Sequence, residues 1–130
     1  MNQPAAEAPR GLRVLVAEDN VLIGAFIRQI LEDIGCTVVG PFEGLEEVLG
    51  AIRIDSLDGA LLDLELDGVS VLPAAYALAE LRIPFIVATG QRSRAGHPAL
   101  LARAPFLTKP FEAAQLEGLV LSTFGPRHAA

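Results

Sequence analysis

Val14-Leu15-Val16-Ala17-Glu18-Asp19 is a short apolar run that stops on two carboxylates, and the chain repeats the device. Ala60-Leu61-Leu62 stops at Asp63, Phe85-Ile86-Val87-Ala88 at Thr89, and Phe106-Leu107-Thr108 at Lys109-Pro110. Continuous apolar runs without polar alternation read as strands buried on both faces, the pattern of a parallel sheet. Parallel strands all end on the same edge, and ligands of such sheets bind beyond that carboxyl edge. Residues distant in sequence are therefore expected in one cleft: the carboxylates of Glu18, Asp19 and Asp63, the Thr89 hydroxyl and the Lys109 ammonium. That mixture suits a divalent cation and a phosphoryl group.

Helical segments separate these strands. From Val21 to Ile34, Leu22, Phe26, Ile30 and Ile34 recur every fourth residue, with Ile23 and Ile27 beside them. Asn20 is a suitable N-cap and Gly35 a suitable residue after the helix end. Cys36 to Val39 reads as a second strand, and Gly44 to Ile52 as a helix with Leu45, Val48, Leu49 and Ile52 on one face. The third strand spans Ala60 to Leu64, Asp67-Gly68 marks a turn, and Ser70 to Leu81 is a helix that tolerates Pro73 in its first turn. Ile83 to Ala88 is the fourth strand and Phe106 to Thr108 a short fifth. Phe111 to Phe124 closes the chain as a helix with Leu116, Leu119, Val120 and Phe124 inward. Between Thr89 and Lys109 the polar Gln91 to Gly96 leaves room only for a fourth helix from His97-Pro98 to about Arg103. Such a helix is short or irregular, and it is expected to be the most mobile element. The whole is a (βα)5 arrangement, an α/β fold with helices on both faces of a parallel sheet.

Composition narrows the class. The 130 residues fit one domain, and 52% are hydrophobic, too many for a disordered chain. No apolar stretch spans a bilayer, and the first ten residues lack the apolar core of a secretory signal. The expected organisation is a flexible tail over 1–10, one domain over 11–125 and a short tail over 126–130. Cys36 is the single cysteine and reads as a buried, inert thiol, compatible with the cytoplasm. The net charge is −6; Arg92 and Arg94 are the nearest approach to a basic patch, so neither nucleic acid nor membrane is an expected partner.

The chemistry follows from the residue types. Crowded carboxylates repel unless a cation joins them, and Mg²⁺ (or Mn²⁺) takes a few oxygen ligands while keeping waters. Asp63 is the candidate nucleophile, since a carboxylate accepts a phosphoryl group as an acyl phosphate. The charge on the transferred group must be neutralised, which Lys109, Thr89 and the cation would share. Pro110 is a candidate cis-proline that would aim the lysine.

With these residues in view, the chain from about Leu12 to Phe124 resembles the response-regulator receiver domains of two-component signalling. The segments that carry the resemblance are Val14 to Asp19, Leu61-Leu62-Asp63-Leu64, Ala88-Thr89-Gly90 and Phe106-Leu107-Thr108-Lys109-Pro110-Phe111. The resemblance implies a flavodoxin-like fold with strand order 2-1-3-4-5. It also implies transfer of phosphate from a histidine kinase or histidine phosphotransfer protein onto Asp63, followed by slow self-dephosphorylation. Asp19 and Asp63 would ligate the metal directly, Glu18 would hold a metal-bound water, and Glu65 would give its backbone carbonyl. Lys109 would bridge the phosphate and the acids. Thr89 and Phe106 would form the switch. Leu64-Glu65-Leu66-Asp67-Gly68 lacks the proline usual after the acceptor. With Pro84 to Gly90, that feature is similar to small stand-alone receivers found mainly in alphaproteobacteria, although Gln91 stands where those carry tyrosine.

The expected function is thus a single-domain response regulator, a monomer or weak homodimer, acting on an unknown downstream protein or as a relay or phosphate sink. Its partner surface is expected on the last helix and the loop from Gly90 to Ala104. The alternative is a pseudo-receiver that takes no phosphate and serves as a dimerisation or protein-binding module. A third class, a metal-dependent phosphatase with an aspartyl nucleophile, usually has a second Asp two residues on. That position is Glu65 here.

Overall fold

The computed structural model describes residues 11–90 and 96–124. The expected tails over 1–10 and 126–130, and the readings placed on Gln91, Arg92 and Arg94, lie outside the described residues.

Five strands form one parallel sheet: β1 (Arg13–Ala17), β2 (Thr37–Phe42), β3 (Gly59–Leu62), β6 (Phe85–Thr89) and β7 (Phe106–Thr108). Their order, β2-β1-β3-β6-β7, is the expected 2-1-3-4-5 once the strands are counted by βα unit. Two further strands, β4 (Glu65–Leu66) and β5 (Val69–Ser70), form a separate antiparallel hairpin. The helices are α1 (Val21–Asp33), α2 (Leu45–Ile54), α3 (Leu72–Glu80), α4 (Ala99–Ala102) and α5 (Ala113–Thr123).

Alternation along each strand divides the core into two layers. Leu15, Ala17, Leu62 and Val87 pack with α2, α3 and α4. Val14, Val16, Leu61, Ala88 and Leu107 pack against Ile27 and Ile30 of α1 and Leu116 and Val120 of α5. Because both faces are covered, the central strands lose their polar alternation and read as unbroken apolar runs.

Some boundaries differ from the sequence expectation. The third strand ends at Leu62 rather than Leu64, because the chain turns at Asp63 into the β4–β5 hairpin. Asp67 and Gly68 are its two turn residues, with φ of 51° and 80°, the left-handed pair of a type I′ turn. The third helix accordingly begins at Leu72 rather than Ser70. β2 runs past Val39 to Phe42 through Gly40, whose φ of 110° is reserved for glycine. The fourth helix is reduced to four residues. In α1, Leu22 and Phe26 share a spacing with Ile30 yet remain 81% and 45% exposed, because the buried stripe is Gly24, Ile27, Ile30 and Leu31.

Candidate functional site

Register sets the site. Ala17 of β1 pairs with Leu62 of β3, so Glu18 and Asp63 leave the sheet side by side, and the Asp63 N–H donates to the Ala17 carbonyl at 3.0 Å. On the other flank Thr89 of β6 pairs with Thr108 of β7, and the Lys109 N–H donates to the Thr89 carbonyl at 2.8 Å. The Lys109–Pro110 bond is cis. The lysine side chain turns back across the strand ends, where its Nζ donates to Asp63 Oδ2 at 2.7 Å and forms an ion pair with Glu18 Oε1.

Glu18 is 2% exposed and Asp63 13%, so the first lies behind the second as seen from solvent. The other Glu18 oxygen accepts from the Asn20 N–H at 3.0 Å, and Asn20 also caps α1 through the Ile23 N–H. Asp19 Oδ2 accepts from the Asp67 N–H at 2.7 Å, so the β4–β5 turn holds this carboxylate in place. The sequence marks Asp67-Gly68 as a turn, and the two-residue signal between Leu66 and Val69 is the pattern of a tight hairpin, but it does not reveal that this turn holds Asp19. Glu65 is exposed in β4, two residues beyond Asp63.

The electrostatics match the crowding. Burial pushes the Glu18 carboxyl above the usual range, against the pull of Lys109 and the Asn20 N–H. Burial alone would lower Lys109, but its bonds to Asp63 and Glu18 outweigh that and raise it. The ammonium is therefore held charged among three acids. Carboxylate oxygens of Glu18, Asp19 and Asp63 lie within 4.8 Å of one another, and one oxygen each of Asp19 and Asp63 accepts no hydrogen bond among the described residues. Hard oxygen donors at this spacing, two of them open, fit a small divalent ion such as Mg²⁺.

Thr89 is buried, 3% exposed, at the end of β6. It continues the Phe85 and Val87 alternation, which points toward the α3–α4 layer, and Phe106 is half-buried against that same layer. The three acid and amine side chains instead converge beside α1. There the exposed Phe26 adjoins Phe111, with the two ring centroids 5.9 Å apart, and Leu22 is exposed on the same helix. A cavity of about 330 Å³ lined by Ile23, Phe26, Lys109, Pro110 and Phe111 joins this apolar patch to the lysine. Sequence reasoning missed the patch, because spacing alone assigns Leu22 and Phe26 to the core.

The family model described as "Response regulator receiver domain" matches residues 14–121, which take in the sheet except for Arg13 and every site residue named above. The chain belongs to the response-regulator receiver domain family. The response regulator UvrY of Escherichia coli (strain K12) is 36% identical over 69 residues, covering 52% of this chain and 32% of UvrY. The receiver thus matches about a third of the length of that curated relative. Among solved structures, the response regulator PhyR from Brucella abortus superposes with a TM-score of 0.79 at 27% identity, covering 92% of this chain and 50% of PhyR. The receiver domain of the sensor histidine kinase PA1611 from Pseudomonas aeruginosa superposes with a TM-score of 0.73 at 22% identity, over 86% of this chain and 96% of that one. That structure holds a magnesium ion in its active-site cleft. At this identity it supports the fold of the present receiver. Among the described residues, no helix is long and apolar enough to cross a membrane.

Proposed function

We propose that this receiver accepts a phosphoryl group on Asp63 from a phosphohistidine of a histidine kinase or histidine phosphotransfer protein. The observation that carries the reading is the placement of Asp63. It is one of three clustered carboxylates and more exposed than Glu18, with one oxygen held by Lys109 and the other accepting no hydrogen bond among the described residues. A solvent-facing carboxylate oxygen with an ammonium beside it is arranged for in-line attack on phosphorus. The new bond is Asp63 O–P, the broken bond is P–N, and the electron pair leaves with the imidazole.

Asp19, Asp63 and the backbone carbonyl of Glu65 would hold Mg²⁺, with Glu18 behind them through a water. The ion would supply positive charge for the equatorial phosphoryl oxygens. Lys109 serves the same oxygens from the other side and keeps the acid cluster compact in the meantime. Thr89, at the end of the adjacent strand, offers a hydroxyl to the phosphorylated state. Because Thr89 and Phe106 share the α3–α4 layer, a shift of one frees space for the other. This is how charge at Asp63 would be read on a protein-binding surface.

The donor must bring its histidine to the carboxyl edge of the sheet. The exposed Val21, Leu22 and Phe26 of α1, with Phe26 beside Phe111 and the cavity at Lys109, favour a docking face on α1 and the start of the β7–α5 connection. Apolar groups that a monomer would normally bury mark such a surface. Signalling then proceeds through protein contacts in the cytoplasm.

Incubation with acetyl phosphate and Mg²⁺ tests the reading by intact mass. The expected result is a gain of one phosphoryl group that is absent in Asp63→Asn, absent in excess chelator and removed by hydroxylamine. No gain, or an equal gain in Asp63→Asn, refutes it and leaves a binding module that takes no phosphate.

A further inference from the structure

At the opposite end of the sheet from Asp63 lies a groove of about 760 Å³ between α3 and α4. Its floor is Ile83-Pro84-Phe85, where the chain enters β6, and Tyr76 and Leu100 form part of its walls. A fourth helix of only four residues leaves this end of the layer uncovered. Two arginines, Arg82 and Arg103, are among the residues lining the otherwise largely apolar cleft. Neither makes an ion pair or side-chain hydrogen bond among the described residues, in a chain whose net charge is −6.

The backbone at Arg82 is a second, independent observation. Helix α1 ends with Gly35 at φ 99°, its N–H bonded to the Glu32 carbonyl and the next N–H, of Cys36, to Leu31. Helix α3 ends with the same pair of bonds, Arg82 to Ala79 and Ile83 to Leu78, but the left-handed residue is Arg82 at φ 60°. Glycine meets this conformation without the steric cost an L side chain incurs. One chain thus uses glycine at one helix end and a strained arginine at the other, and the arginine lines the groove. Strain of this kind is kept where a side chain has work to do.

We propose that the groove binds a segment of a partner protein that places a carboxylate next to apolar side chains. The apolar groups fill the cleft over Phe85 and Leu100, and the carboxylate pairs with Arg82 and Arg103. Charge complementarity selects this occupant: two uncompensated cations beside an apolar floor match an acidic–apolar peptide. The site is distinct from the phosphoacceptor edge, and the proposal stands independently of the phosphoacceptor reading.

The test is selection of a randomised phage-displayed peptide library on the full chain, followed by titration of the selected peptides against isotope-labelled protein. The expected result is enrichment of peptides pairing Asp or Glu with apolar residues, with amide shifts centred on Ile83, Leu100 and Arg103. Arg82→Gly combined with Arg103→Ser should weaken their binding by roughly tenfold or more. Arg82→Gly alone should unfold at no lower denaturant concentration than the parent, so a loss of binding is not a loss of fold. Peptides lacking acids, a footprint on α1 and Phe111, or binding indifferent to the double substitution would each overturn the proposal. So would a sedimentation-detected dimer abolished by the same substitutions, because the occupant is then a second copy of the chain.

Discussion

Gly59 opens β3, and a Cβ built on it would lie 2.6–2.7 Å from three ring carbons of Phe124, the residue that closes α5. Carbon contacts settle near about 3.5–4.0 Å, so Gly59→Ala must displace the ring by close to 1 Å. The backbone of Gly59 is not in the left-handed region, so alanine itself is acceptable there, and strand propensity favours it by about 0.5–1 kcal/mol. The ring is half-buried and ends its helix, so it can swing outward at the loss of part of its burial, about 2 kcal/mol. The net expectation is a destabilisation of about 1 kcal/mol, which lowers Tm by about 4 °C in a domain of this size. Urea unfolding of Gly59→Ala, Phe124→Ala and the double variant tests the reasoning. Once the ring is gone, the clash is gone and only the propensity gain remains. Gly59→Ala should therefore change sign and become neutral or stabilising in the Phe124→Ala background. An equal destabilisation in both backgrounds would refute the argument.

The remaining predictions concern the acid cluster, Gly40 and the buried Cys36. Burial holds Glu18 above its ordinary 4.5, so its favourable contribution is present below that pH and is lost as pH rises through the raised value. Glu18→Gln should accordingly gain stability on the parent toward neutral pH in metal-free buffer, read by urea midpoints across pH, and should bind Mg²⁺ more weakly. Lys109→Met leaves Glu18 and Asp63 uncompensated and should cost about 2 kcal/mol at neutral pH, discounted from a fully buried pair because Asp63 is partly exposed. Mg²⁺ should recover much of that loss in a thermal-shift titration. At Gly40, φ is 110° and an added Cβ would sit 2.8 Å from the Val16 carbonyl oxygen; Gly40→Ala should cost about 3 kcal/mol in the same unfolding assay. Burial pushes the Cys36 thiol up to about 11, so iodoacetamide at pH 8 should label it only after denaturant unfolds the chain.

Much of the fold was legible because a parallel sheet covered on both faces has a plain signature. Leu15 and Val16 face opposite layers and both must be apolar, which makes a run rather than an alternation. Each run then stops where the strand leaves the sheet, so Glu18, Asp63, Thr89 and Lys109 are marked by position as well as type. The β4–β5 hairpin was less legible, because Leu64 and Leu66 extend the apolar pattern and its strands are only two residues each. The outward turn of Leu22 and Phe26 was not legible, because α1 is apolar over more of its circumference than α5 and the sheet can cover.

By itself, the sequence determined which residues reach the carboxyl edge, since strand ends follow from where apolar runs stop. It also determined that their chemistry favours a cation and a phosphoryl group. Only the tertiary structure decided how those residues divide. Register and alternation bring Glu18, Asp63 and Lys109 together beside α1, while Thr89 turns with Phe106 into the other layer. Tertiary packing likewise left Leu22 and Phe26 bare near the site, and Arg82 and Arg103 at the far end without an ion pair among the described residues. Exposure is a property of what packs against a residue, and no local pattern encodes what its distant neighbours cover.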